Sequence, residues 1–302
     1  DEVFELTDRV SILRDGEYIT TLNTKETNRA ELIKYMVGRE MTQTFPPRSA
    51  EIGNVALELK NLTGNGVKNI SFQAHRGEIL GISGLVGAGR TEIMKVVFGA
   101  EKKQWGDIYV NGQLADIKSP NDAMHKYGIC LIPEDRKREG CFLGETISWN
   151  LVYNVVEKIS HAGVVDRKKE AEIANYYGEA MRIKAPNLDA TKVGTLSGGN
   201  IQKVILAREL DADPEILIAA QPTRGVDVSA SEYIHEVMLA YRDQGKGILL
   251  ISADLDEVKK LSDTIAVIYQ GRIVAVDRAE HFDDNRLGLL MTGAAQDPGK
   301  EA

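Results

Sequence analysis

Three short stretches of this 302-residue chain carry residue types that could handle phosphate. In Leu196-Ser197-Gly198-Gly199-Asn200-Ile201-Gln202-Lys203, a hydroxyl and two glycines open an apolar, helix-periodic run (Val204, Ile205, Leu206, Leu210). That puts a hydroxyl and bare backbone N–H groups at a helix N-terminus, where the dipole and the unpaired donors favour an anion. Taken alone, Ser197 could equally be a plain N-cap followed by flexible glycine. Upstream lies a second glycine loop, Gly84-Leu85-Val86-Gly87-Ala88-Gly89-Arg90-Thr91, between a strand-like run over 78–83 and a helix-like run over 91–98. This is the strand-loop-helix setting of a P-loop. After the Ser197 helix, the apolar run Ile216-Leu217-Ile218-Ala219-Ala220 leads into Gln221-Pro222-Thr223-Arg224-Gly225-Val226-Asp227.

Hydrolysis of a nucleoside triphosphate needs a cradle of backbone N–H groups, a cation on the β- and γ-phosphates, oxygen ligands for Mg²⁺ and a residue that orients water. Gly84, Gly87 and Gly89, with Ala88 between them, let backbone approach phosphate, Glu92 follows in the first helical turn, and Thr91 can offer a hydroxyl to a metal. Where the P-loop motif places lysine the chain has Arg90, which keeps the charge but exchanges a compact ammonium for a planar fork. The spacing Gly84-x-x-Gly87-x-Gly89 does not match the dinucleotide pattern G-x-G-x-x-G.

The two loops and the strand that follows the Ser197 helix, collinear and at domain-like separations, resemble the ATP-binding subunits of ABC transporters. The resemblance implies an α/β P-loop NTPase with a mostly parallel sheet, an antiparallel β subdomain and an inserted helical subdomain, using ATP and Mg²⁺. It also locates departures. The family ends the strand before Pro222 in a metal-holding aspartate and a glutamate that acts on water; here those positions are Ala220 and Gln221. The histidine expected after the next strand is Ala253, and the glutamine expected before residue 135 is Glu134. The Gly64-Asn65-Gly66-Val67 region offers no aromatic for an adenine. Losing metal carboxylate, base and histidine together implies a nearly silent site, with no catalytic residue of its own.

The Ser197 loop keeps its chemistry, with Asn200 in place of the commoner glutamine. In ABC proteins each site joins one domain's P-loop to the other's Ser-Gly-Gly loop. Carried over, Ser197, Gly198, Gly199 and Asn200 serve ATP held in trans by a first ABC domain, where Mg²⁺ mainly acts. Glu134 and Asp227 fall in the regions that couple domains, although Asp227 could as well cap the next helix. Arg136-Lys137-Arg138 reads as a solvated loop or as part of a docking face for membrane subunits. The Pro-Glu-Asp-Arg-Lys, Leu-Ser-Gly-Gly-Asn and Pro-Thr-Arg-Gly-Val-Asp motifs look like the ribose/galactose group of sugar and nucleoside importers, and Ala219-Ala220-Gln221-Pro222 resembles the nucleoside branch. The implied partners are a first ABC domain on the same polypeptide, transmembrane permease subunits and, indirectly, an extracytoplasmic solute-binding protein. The implied location is peripheral, on the cytoplasmic face of the cell membrane. A non-transport ABC protein and a regulatory half that only holds nucleotide are the alternatives.

Composition agrees with that setting. A net charge of −8 argues against nucleic acid as a main partner, and 43% apolar residues can bury a substantial core. Cys130 and Cys141 show no metal or redox spacing and fit a reduced compartment. His125, His161, His235 and His281 lack ligand spacing and read as surface or packing residues. No apolar stretch reaches the roughly 18 residues of a membrane span.

Stepping along the chain gives the elements that must position these groups. Asp1-Glu2-Val3 recurs as Asp256-Glu257-Val258, Leu6-Thr7-Asp8 as Leu261-Ser262-Asp263, Gly16 as Gly271 and Met36-Val37-Gly38 as Met291-Thr292-Gly293, always 255 residues apart. The expectation is that 1–45 form the tail of a preceding ABC domain, as an opening Asp rather than Met also suggests. Residues 46–53, with Pro46-Pro47, form a linker, 54–295 a second ABC domain and 296–302 a tail. Alternation at Val55, Leu57 and Leu59 and then Ile70 and Phe72 predicts strands. Ser119-Pro120 predicts a capped helix to about 126, followed by a strand over 128–132. Residues 145–190 read as the helical subdomain, 231–241 as a helix, 247–252 as a buried strand, 254–261 as a capped helix, and 264–269 with 272–276 as a hairpin.

Overall fold

The computed structural model describes residues 2–14, 17–37 and 51–294. The chain divides into two units, 1–47 and 48–302. The first contains α1 (Glu2–Leu6), the antiparallel hairpin β1 (Arg9–Arg14) and β2 (Glu17–Asn23), and α2 (Arg29–Val37). The expected linker lies outside the described residues except for 51–53, which adopt no regular element, and the 296–302 tail lies outside them as well.

In the second unit β3 (Val55–Gly64), β4 (Val67–His75), β6 (Trp105–Val110) and β7 (Gln113–Leu114) form an antiparallel sheet in the order β4-β3-β6-β7. The sequence reading anticipated β3 and β4 but not β6. The main sheet runs β14-β13-β5-β12-β11-β8, from β5 (Ile79–Ser83), β8 (Ile129–Ile132), β11 (Ile216–Ala220), β12 (Gly247–Ile251), β13 (Thr264–Tyr269) and β14 (Arg272–Arg278). All its pairings are parallel except β13 with β14. Every residue of β5, β11 and β12 is buried. Strands covered on both faces need continuous apolar sequence, which is why these read as short unbroken runs rather than alternating ones. Leu80, Ile82, Ile218, Ala220, Leu249 and Ile251 join Leu57, Leu59 and Ile108 of the antiparallel sheet in one core.

Helices α3 (Arg90–Val97), α4 (Pro120–Tyr127), α7 (Gly198–Asp211), α8 (Val228–Asp243), α9 (Leu255–Leu261) and α10 (Asp284–Thr292) complete the main body. Ser119 caps α4 by accepting from the Asp122 N–H with Pro120 at the first position, as its sequence required. Helix α8 starts at Val228, three residues before the expected start, because Asp227 accepts from the Ala230 N–H and caps it. The helical subdomain holds α5 (Ile147–Val152) and α6 (Arg167–Ala180), but between them β9 (Ser160–His161) and β10 (Val164–Val165) pair as a small hairpin. An all-helical reading of 145–190 is therefore corrected at 160–165, where Ala162 (φ 50°) and Gly163 (φ 80°) turn the chain.

The repeat seen in sequence is also a repeat in structure. Shifted by 255, β1 and β2 have the bounds of β13 and β14, and α2 has those of α10. The register irregularity between Ile12 and Leu13 recurs between Val267 and Ile268. Asp1, Gly16 and Gly38 lie outside the described residues.

Candidate nucleotide site

Four chemically interesting segments leave the main sheet at the same edge. The Gly84 loop follows β5, Pro133-Glu134 follows β8, Gln221 follows β11 and Ser252-Ala253 follows β12. The parallel strands thus all point their carboxyl ends at one place, which is where open α/β sheets bind ligands.

The glycine loop has the shape of a cradle that an anion could enter. Gly89 caps α3 in the left-handed region (φ 112°), and the first N–H groups of α3 have no partner within the helix. A Cβ on Gly84 would lie 2.6 Å from the Ile268 carbonyl oxygen, whereas around Gly87 there is open space. The Ala88 N–H is engaged by the Leu85 carbonyl (3.0 Å) and so belongs to the loop's own turn. The hairpin β13–β14 supports the loop from behind: Gly271 N–H donates to the Ala88 carbonyl at 2.8 Å. Gly271 itself sits at φ 79°, and a Cβ there would collide with the Gly66 carbonyl oxygen. These groups fit a polyphosphate.

Arg90 is buried, and its Nη1 donates to the Ser252 carbonyl at 2.6 Å. The long planar fork reaches the end of β12. Burial pushes its guanidinium below the ordinary value, while nearby Glu134 and Glu92 act in the opposite sense. Glu92 is half-buried in the first turn of α3, and as a carboxylate it offers a phosphate nothing.

The oxygens that could meet Mg²⁺ are few, and the carboxylate among them is engaged. Ala220 ends β11 with a buried methyl, and the Gln221 amide oxygen accepts the Ala253 N–H at 3.1 Å. Thr91 Oγ1 donates to Glu134 Oε2 at 3.1 Å, and Glu134 Oε1 accepts Arg224 Nη1 at 2.6 Å. The one carboxylate near Thr91 in this chain of contacts is thus already paired with a guanidinium. Beside a nucleotide Mg²⁺ takes most of its ligands from phosphate and water and only one or two from protein, so Thr91 and Glu134 serve it only when the Arg224 pairing opens. Among the described residues no three His, Cys, Asp or Glu side chains gather as a metal site. Thr91, Glu134 and Arg224, with Asp135, Arg136 and the Lys95-paired Glu139, are among the residues that line a cavity of about 500 Å³.

The Ser197 loop opens α7 as its sequence suggested. Ser197 is the N-cap, and its Oγ accepts from the Asn200 N–H (3.4 Å) and from Asn200 Nδ2 (3.2 Å). Asn200 Oδ1 accepts the Lys184 N–H at 3.1 Å, which fixes the orientation of the amide. A Cβ on Gly198 would lie 2.7 Å from Arg136 Nη2, and one on Gly199 would lie 3.1 Å from Asp227 Oδ2. The glycines therefore admit Arg136 and the Asp227 segment as close neighbours.

Three contributors escaped the sequence reading. Arg224 and Arg136 stood in quoted motifs, but their partners are 88 to 90 residues away along the chain. Glu257 is buried and accepts from Thr223 Oγ1 (2.7 Å), with His235 Nε2 at 2.7 Å. His235 is thus a packing residue with a specific charged partner. His281 lies 2.8 Å from Asp277, and His125 and His161 are exposed. The sequence signal for Glu257 was its place inside the repeated Asp-Glu-Val.

The chain resembles known proteins in sequence and in fold. A family model described as "ABC transporter" matches residues 67–224, just over half of the chain. A ribose import ATP-binding protein of Clostridium perfringens is 44% identical over 295 residues, covering 97% of this chain and 58% of the relative. The one from Geobacillus kaustophilus is 40% identical over 294 residues, with 97% and 59% covered. The chain thus spans about three fifths of the length of the curated relatives it matches. Among solved structures, a dimeric ATP-binding cassette bound to ADP and Pi superposes with a TM-score of 0.64 at 20% identity, over 75% of this chain and 100% of that one. A bacterial Atm1-family exporter with ATP bound gives 0.65 at 22% identity, over 90% and 47%. With the cradle, the Ser-Gly-Gly helix start and the sheet order all in place, this chain belongs to the ABC transporter family, with the ATP-binding cassette fold.

Proposed function

We propose that this chain is the nucleotide-binding, energy-coupling part of an importer for sugars or nucleosides, ribose being the solute named for its relatives. The observation that carries the reading is an asymmetry. The helix start at Ser197 is intact, whereas β11 ends in Ala220, which cannot bind Mg²⁺, and leads into Gln221, which cannot accept a proton. A half built this way contributes Ser197, Gly198, Gly199 and Asn200 to ATP and Mg²⁺ held by a first ABC domain, and its own loop, Gly84 to Glu92, holds nucleotide without turning it over. Residues 1–45 are the end of that first domain, a reading supported by the element bounds shared at a spacing of 255. Glu134 and Asp227 couple the two sites. ATP supplies the driving force of import. The residues here bind it, orient it and close over it.

No helix among the described residues is long and apolar enough to cross a membrane. The reading accordingly places the protein peripherally on the cytoplasmic face, held by permease subunits that a solute-binding protein feeds, with no nucleic acid involved. The test is the full-length protein reassembled with its membrane subunits in vesicles. Ser197→Arg is expected to stop ATP-driven uptake and phosphate release, while Arg90→Ala leaves both within a few-fold of the parent. Turnover that survives Ser197→Arg but disappears with Arg90→Ala would overturn the assignment. So would isolation of the native protein with ribosomes or DNA instead of membrane subunits.

A further inference from the structure

The pairing of Glu134 with a guanidinium bears on the charge at the loop. A triphosphate carries about four negative charges at neutral pH, and the Glu134 carboxylate stands one hydrogen bond from Thr91, at the start of the helix that would receive it. An uncompensated carboxylate there would repel the ligand. Arg90 is near enough to act on it electrostatically, and Arg224 pairs with it directly: Nη1 lies 2.6 Å from Glu134 Oε1, and the guanidinium keeps two-thirds of its side-chain surface open to solvent. The Arg224 backbone is tethered as well, its N–H donating to the Gln221 carbonyl at 3.1 Å and its carbonyl accepting Arg136 Nη1 at 2.7 Å. A fixed organic cation therefore sits beside Thr91 and Glu134, on the wall of the 500 Å³ cavity.

We propose that Arg224, held on Glu134, stands in for the divalent cation at this half, so that ATP binds the Gly84–Thr91 loop with an affinity that does not depend on Mg²⁺. This rests on the reading of that loop as a nucleotide site. A guanidinium suits the role because it is permanently charged, weakly hydrated and presents several donors in a plane, so it can hold a carboxylate with one edge and offer another to a phosphate. Ala220 offers Mg²⁺ no oxygen, the Gln221 amide oxygen is engaged by the Ala253 N–H, and Glu134 is held by the guanidinium.

The test is an equilibrium titration of the 302-residue chain with ATP, in excess Mg²⁺ and in EDTA. Unaltered protein is expected to bind equally in both. Arg224→Ala is expected to weaken binding in EDTA by about tenfold, the size of one charge-assisted contact, and Mg²⁺ is expected to restore it, because Glu134 and Thr91 are then free to take the ion. Adding Glu134→Gln to Arg224→Ala should recover metal-free binding, and Arg224→Lys should retain it. An unaltered chain that loses tenfold or more in EDTA overturns the proposal, as does an Arg224→Ala defect that Mg²⁺ leaves untouched. No binding in either buffer also overturns it, while leaving the role of the Ser197 loop in trans standing.

Discussion

Arg136 Nη2 donates to the carbonyl oxygen of Gly225 at 2.9 Å, 89 residues along the chain, and its Nη1 reaches the neighbouring Arg224 carbonyl at 2.7 Å. One side chain thus ties the loop after β8 to the loop after β11. Arg136→Ala is expected to lower stability by about 1 kcal/mol, the net worth of such bonds at a partly exposed site, and to speed amide exchange across 133–140 and 222–227 together. Faster exchange in only one of the two loops would contradict the tie. Gly198→Ala should mimic part of the effect, because its Cβ would displace the same guanidinium.

The hairpin turn behind the phosphate loop gives a second test. Gly271→Ala places a methyl against the Gly66 carbonyl at a backbone angle of φ 79°, and both partners are main chain, so neither can swing away. The expected loss is about 2 kcal/mol or more in urea unfolding, from left-handed strain plus the clash. Since Gly271 N–H holds Ala88, ATP affinity should fall with it.

A pH dependence follows from Glu257. Burial pushes its carboxyl up, but hydrogen bonds led by that from His235 outweigh burial and hold it below its ordinary value of 4.5. A group depressed in the folded state contributes stability that is complete above its unfolded value and is lost as pH falls through the folded one. Acidification below about pH 4.5 should therefore lower the melting temperature of the parent more than that of Glu257→Gln. Parallel melting curves for the two proteins would show that the pair contributes nothing through charge.

Asp227 separates capping from coupling. Its Oδ1 accepts the Ala230 N–H at 2.9 Å, a bond that asparagine can reproduce. Asp227→Ala should cost about 1 kcal/mol of stability, whereas Asp227→Asn should cost only a few tenths. If the charge also couples sites, Asp227→Asn will lower ATP turnover of the assembled transporter while leaving the melting temperature in place.

Much of this architecture was legible because it is local. The unbroken apolar runs of β5, β11 and β12, the Ser119-Pro120 cap and the Ser197 helix start are each written within a few neighbouring residues. The repeat could be read because its register has no gap. Other features escaped for a physical reason: they depend on pairing across the fold. Strand β6 begins at the exposed Trp105 and turns at Gly106, which hides its alternation, and only its pairing with β3 defines it. The hairpin at 160–165 has two residues on each side, too few to show a period. Glu134 was singled out for its position, yet its significance comes from Arg224, which no spacing rule connects to it. The sequence allows Asp227 two roles, and capping is the one the geometry displays.

The last residue of β11 has a consequence for the balance between folding and work. An acidic side chain at position 220 would have to be stripped of water inside a strand where every residue is buried, at a cost of several kcal/mol unless an ion or a donor met it. A methyl group there imposes no such strain. Enzymes commonly accept weakened frameworks to keep charged machinery in place, and variants that abandon the machinery tend to become sturdier. Ala220 removes that cost, so Ala220→Asp is expected to lower the melting temperature of this chain.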